Sequence, residues 1–164
     1  MKQIQDGWMK VNGQRIEDLE KYILDYLAED KEIELWIGTD SAKKIMGYQL
    51  QEVKYLTVIC FRKPFKGAHV IKRIENKKYE YRISIGERLG YEIDLTIQLA
   101  LWIREVTGIS VEIHIDVNPE SGAGSNEVYK TYKGYGEALG FKTEYKPTGS
   151  SIAASACADY FIGG

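Results

Sequence analysis

Apolar residues recur along the chain with two different periods. Ile16, Leu19, Tyr22, Ile23, Tyr26 and Leu27 return at helical spacing and predict an amphipathic helix that ends near Glu29. Ahead of it, Asn12-Gly13 is a strong turn dipeptide, so Gln3 to Gln14 reads as a short hairpin. Ile33 to Thr39 is an apolar run with no room for a helix and predicts a strand, with the chain turning over Lys43 to Gly47. Tyr48 to Arg62 and Ala68 to Glu75 predict two further strands, with Pro64 and Gly67 between them. A long helix is expected from Ile83 to Val106, stopped by Thr107-Gly108. Ile109 to Val117 is again strand-like and ends at Asn118-Pro119. Ser125 is a credible N-cap for a helix running to Leu139, with Gly140 as its stop. Lys142 to Lys146 reads as a short strand, and Ser151 to Phe161 as a final helix of small residues.

The order after the first helix is therefore βββαβαβα. Three successive strands suit an antiparallel meander, and strands that follow helices enter by crossovers that suit parallel pairing. The expected fold class is α/β, a mixed five-stranded sheet flanked by helices. Residues 1–30 form an N-terminal extension, hairpin plus amphipathic helix, packed on a domain spanning 31–164.

Composition narrows the function classes. A chain of 164 residues suits one domain with a real core. No apolar run approaches the roughly 20 residues of a membrane span, and Met1 to Asp6 lacks the apolar core of a signal peptide. A cytoplasmic location without membrane partners is the expectation. The net charge of −2 argues against nucleic-acid binding by bulk electrostatics alone. Locally the balance differs: Arg62, Lys63, Lys66, Lys72, Arg73, Lys77, Lys78, Arg82 and Arg88 face only Glu75, Glu80 and Glu87. That run is either a solvated hairpin or a phosphate-contacting one. Cys60 and Cys157 have neither metal-ligand spacing nor a disulfide framework and read as small core residues. Tyr129, Tyr132 and Tyr135, at helical spacing, are read as core.

Some acids stand where acids are costly. Asp40 closes the strand Ile33 to Thr39, and Asp116 falls near the end of Val111 to Val117. The carboxyl ends of strands are where open α/β sheets form sites. Two carboxylates brought together there need a proton or a cation between them, and hard divalent cations prefer such oxygens. Taken singly, each aspartate also suits a loop cap. On the long helix, Leu89, Ile93, Thr96, Ile97, Leu99, Ala100 and Ile103 share one face at 100° per residue, and Glu92 projects from its middle. A buried carboxylate costs several kcal/mol without a partner; a metal or Arg88, one turn earlier, would supply one. Asp159 follows a run of small residues that lets a helix approach a sheet closely.

Asp40 in Gly38-Thr39-Asp40-Ser41, Asp116 in His114-Ile115-Asp116-Val117-Asn118-Pro119, and Ala158-Asp159 resemble the YkuK-type ribonuclease H-like family of bacterial proteins. Gly134 to Phe141 and Lys146-Pro147 add to the resemblance, which covers residues 30 to 162. It implies a ribonuclease H fold, in which acids on the first strand, first helix, fourth strand and last helix bind two metal ions. Those positions match Asp40, Glu92, Asp116 and Asp159. The chain departs from the better-studied ribonucleases H in having no histidine before the last helix and no separate basic handle; its two histidines are His69 and His114.

The resemblance implies a Mg²⁺- or Mn²⁺-dependent nuclease acting on RNA, DNA or a hybrid by a two-metal scheme. Asp40 would bridge both ions, and Asp116, Glu92 and Asp159 would divide the remaining coordination. Ser41 and Asn118 would position a phosphate or a metal-bound water, and Lys43 and Lys44 would meet the backbone at the rim. A non-catalytic nucleic-acid-binding module is the alternative. Phosphoryl transfer to a nucleotide is a third reading, less favoured because such enzymes pair two of these domains. The glycine-rich stretch Gly122 to Asn126 has no Lys-Ser/Thr pair after it and is not a Walker motif; it reads as a flexible loop or a phosphate contact. An oligomer is compatible with this reading.

Overall fold

The computed structural model describes residues 2–48, 50–115 and 123–145, excepting the side chains of residues 2, 3, 45, 123–129 and 145. The elements run α1 (Lys2–Gln5), β1 (Trp8–Lys10), α2 (Leu19–Glu29), β2 (Glu34–Ile45), β3 (Gln51–Lys63), β4 (Gly67–Tyr79), α3 (Ile85–Thr107), β5 (Glu112–Ile115), α4 (Ala123–Ala138) and β6 (Lys142–Tyr145). The strands form one mixed sheet in the order β1-β4-β3-β2-β5-β6. β2, β3 and β4 are an antiparallel meander, while β5 joins β2, and β6 joins β5, in parallel. This is the predicted mixed α/β architecture with one strand more. The sixth strand comes from the N-terminal extension: Trp8 pairs with Arg73, and Lys10 with Ile71. The expected hairpin around Asn12-Gly13 is reduced to a single bridge between Met9 and Arg15, and its first residues form a helical turn instead.

Each helix starts and stops for a local reason. Asp18 caps α2 by accepting from the Lys21 N–H, and Ser84 caps α3 by accepting from the Glu87 N–H. Gly108 ends α3 in the left-handed conformation, φ 73°, and donates to the Arg104 carbonyl. The inner face of α3 (Leu89, Ile93, Ile97, Ala100, Ile103) lies on Ile37, Ile59 and Phe61 of the sheet, and Leu19 and Ile23 of α2 join the same cluster. Fully burying each such side chain contributes about 1.5–3 kcal/mol. α4 lies against α3 so closely that a Cβ on Gly90 would stand 2.6 Å from the Tyr132 hydroxyl oxygen.

The run Leu56 to Phe61, apolar except for Thr57, is buried on both faces of β3, a central strand. Odd-numbered Ile59 and Phe61 join the α3 cluster, whereas Leu56, Val58 and Cys60 form a separate cluster with Trp36 on the opposite face. Cys60 is a buried core residue, as expected; Cys157 and the expected final helix over 151–161 lie outside the described residues. Tyr132 packs on the core as read from its spacing, but Tyr135 is 49% exposed. It stands on the side of α4 turned from the core, and the Tyr129 side chain is outside the described set. No described helix is long and apolar enough to cross a membrane.

Candidate functional site

Asp40 does not close its strand. β2 runs on through Ser41, Ala42, Lys43 and Lys44 to Ile45, paired residue for residue with β3 as far as Ile45 opposite Gln51. The expected turn over Lys43 to Gly47 is displaced to the segment after Ile45, where the Met46 N–H donates to the Leu50 carbonyl. The parallel ladder with β5 is shorter. It comprises Trp36, Ile37 and Gly38 of β2 opposite Glu112, Ile113 and His114. Asp40 thus lies two residues past the last β2–β5 pair, on a strand still held by β3 on its other side.

Successive β2 side chains alternate between the sheet faces. Thr39 and Ser41 point to α3: the Thr39 hydroxyl shares a hydrogen bond of 2.7 Å with Thr96, and Ser41 Oγ donates to Glu92 Oε1. Asp40, between them, projects from the other face and is half-buried. Glu92 is 5% exposed, where helical periodicity puts it. Ser41 therefore answers one oxygen of a carboxylate that burial makes costly. No Arg88–Glu92 ion pair is found among the described residues, and among them the buried Arg88 Nε has no hydrogen-bond partner.

A line of hydroxyls unnoticed in the sequence fixes this geometry. Thr57 meets Thr39 at 3.0 Å, Thr39 meets Thr96, and Thr96 donates to the Glu92 carbonyl at 3.0 Å. It locks β3, β2 and α3 at the level of Glu92. The signal was present: Thr39 and Ser41 are two apart on a strand, and Glu92 and Thr96 are one helical turn apart. Near the carboxylate, burial, the hydrogen bond with Tyr79 and the neighbouring charge of Glu92 push the Tyr55 phenol well above its ordinary value.

His114 occupies the same sheet face as Asp40, opposite Gly38. It is buried, 4.9 Å from the Trp36 ring between centroids. Burial lowers its pKa against the opposing pull of Glu112, so its 3.1 Å contact with Glu112 Oε1 is a hydrogen bond of a neutral imidazole. Lys43 and Lys44 are exposed strand residues rather than turn residues.

Of the four expected metal ligands, the structure describes Asp40 and Glu92: Ser41, next to Asp40 in the chain, bonds Glu92, while the Asp40 side chain lies on the other face of β2. Asp116, Asp159 and Asn118 lie outside the described residues. Among the described residues, no group of three or more His, Cys, Asp or Glu side chains is gathered for a metal ion.

Comparison with known proteins agrees with this architecture at the level of family. No curated protein and no solved structure matches the chain. A family model described as Ribonuclease H-like matches residues 14–162, from the start of the α2 region through every strand of the meander and both long helices. With that match spanning most of its length, the chain belongs to the ribonuclease H-like family.

Proposed function

We propose that the protein is a divalent-metal-dependent nuclease that hydrolyses phosphodiester bonds at a centre made of Asp40, Glu92, Asp116 and Asp159. The observation that carries the reading is Glu92. A carboxylate buried on the inner face of α3, held by Ser41 beside Asp40, is poorly placed for stability and well placed for a cation.

The donor chemistry fits Mg²⁺ or Mn²⁺, since carboxylate and hydroxyl oxygens are the hard ligands these ions take. Asp40 leaves β2 on the face opposite the one against which Glu92 of α3 is buried, and among the described residues the β2–β5 ladder ends at Gly38 and His114. Asp116 is the residue that follows Ile115, the last of β5, in the sequence. When bound, a pair of such ions supplies Lewis acidity and a water of lowered pKa.

The protein's own part is positional. Ser41 orients the Glu92 carboxylate, and the Thr57–Thr39–Thr96 line keeps α3 from sliding against β2. In the reaction, water attacks phosphorus in line and the bond to the 3′-oxygen breaks. Lys44, further along β2 on the Asp40 face, and Lys43, its neighbour on the other face, are kept as residues that meet the flanking nucleic-acid backbone, and Asn118 as a phosphate-positioning residue.

The test is hydrolysis of single-stranded, duplex and hybrid substrates with Mn²⁺ or Mg²⁺, alongside Asp40→Asn. Metal-dependent cleavage that vanishes in the variant supports the reading. Tight nucleic-acid binding without cleavage would favour the non-catalytic module, and activity surviving the substitution would overturn the assignment.

A further inference from the structure

Sheet register divides the basic residues into two groups that the linear sequence runs together. The rows across β2, β3 and β4 are Glu34–Arg62–Ala68, Trp36–Cys60–Val70, Gly38–Val58–Lys72, Asp40–Leu56–Ile74, Ala42–Lys54–Asn76 and Lys44–Glu52–Lys78. All of these residues occupy the face opposite α3, because Thr39, Ser41 and Tyr55 of the alternate set meet Thr96, Glu92 and Tyr91. Lys54 is therefore one same-face step, about 7 Å, beyond the Asp40 row, and Lys44 and Lys78 are about 14 Å beyond it.

These three lysines have one acid among them, Glu52, and none forms an ion pair among the described residues. Lys44 and Lys78 are exposed and Lys54 is partly so. The hairpin tip beyond them, between β2 and β3, carries Met46, Tyr48 and Leu50 at 45%, 91% and 38% exposure. An exposed tyrosine next to lysines that form no ion pair among the described residues suits a ligand with both phosphates and accessible base faces. Duplex DNA keeps its base faces stacked inside; a single strand does not.

We propose that this far half of the β2–β3–β4 meander is a docking surface for single-stranded nucleic acid. Lys44, Lys54 and Lys78 hold the backbone, and Tyr48 stacks on a base at the tip. The strand leads from the tip toward Asp40. This names the substrate class of the centre proposed above and rests on that reading for the role of Asp40, but its binding test needs neither metal nor catalysis.

The test measures anisotropy of fluorescein-labelled oligothymidylate, and of a duplex of equal length, in EDTA across a salt series. The triple variant Lys44→Ala/Lys54→Ala/Lys78→Ala is expected to bind at least tenfold more weakly and to lower the salt slope by about 2, at about 0.7 per lost phosphate contact. Tyr48→Ala is expected to lose fivefold or more with the slope unchanged. Lys63→Ala/Lys66→Ala, at the opposite end of the meander, serves as the control and should bind as the parent does. The triple variant binding like the parent, the control losing as much, or duplex binding more tightly than single strand would each overturn the proposal. If binding behaves as expected while no substrate is cleaved with Mn²⁺, the docking surface stands and the nuclease reading fails.

Discussion

At the Glu34–Arg62 end of the β2–β3 ladder, charge is answered inside the sheet. Arg62 reaches Glu34 at 3.3 Å, and its guanidinium lies 4.4 Å from the centre of the Trp36 ring. Six residues along β2, Asp40 stands opposite Leu56 on one face, Glu92 is buried against the other with the Ser41 hydroxyl, and Lys54, Lys44 and Lys78 lie further out on the strands. The register that pairs Glu34 with Arg62 also pairs Asp40 with Leu56 and Lys44 with Glu52. One end of the ladder thus pairs opposite charges across neighbouring strands, and the other presents carboxylates and lysines that a cation and a polyanion would engage.

The largest expected effect falls on the Asp40 end. Asp40→Asn should lower metal-dependent hydrolysis by about a thousandfold, the size of losing several kcal/mol of metal-centred stabilisation, with little change in the melting temperature. Next comes linkage to metal. Mg²⁺ at a hundred times its Kd should stabilise the parent protein by about 2.7 kcal/mol, read as a rise in Tm, and Glu92→Gln should abolish that rise. The same variant should be about 1–2 kcal/mol more stable than the parent in EDTA, because a desolvated charge is gone. A Glu92→Gln protein that is less stable without metal would show that Glu92 is a structural residue.

Ser41→Ala should cost about 1.5–3 kcal/mol in denaturant unfolding without metal, since it removes a hydrogen bond to a buried charge. Arg62→Ala, by contrast, should cost under about 1 kcal/mol, because both partners of its ion pair are about half exposed. Comparable costs at the two positions would erase the distinction between the ends. The smallest effect concerns pH. Burial, with Lys10 adding to it, lowers the His69 pKa in the folded protein, and its Nε2 lies 2.6 Å from the Tyr22 hydroxyl. The folded state therefore holds fewer protons than the unfolded one. Its contribution is whole above the unfolded value of 6.5 and is lost as pH falls from there toward the folded value. Melting curves from neutral pH downward should show a shallower acid decline for His69→Gln.

Periodicity located nearly every described element because the core demands it: α3 had to present Leu89 to Ile103 to a sheet, and Glu92 could be singled out as an intruder on that face. It failed where the core stops. Lys43-Lys44 has no apolar alternation and reads as the start of a turn, yet it is strand because it pairs with Val53 and Glu52 of β3. Trp8 to Lys10 is too short to signal a strand alone and becomes one at the edge of β4. Tyr135 shows the converse error, since helical spacing says which residues share a face but not how much of it is covered.

By itself the sequence determined the α/β order, the family and the identity of the suspect acids, because these follow from local period and residue chemistry. Only the tertiary structure decided that Ser41 bonds Glu92, that Asp40 emerges on the other face, and that three lysines far apart in the chain share that face in two successive rows beyond it. Those facts depend on strand register, and register is set by long-range pairing that shifts every side chain to the opposite face if it slips by one residue.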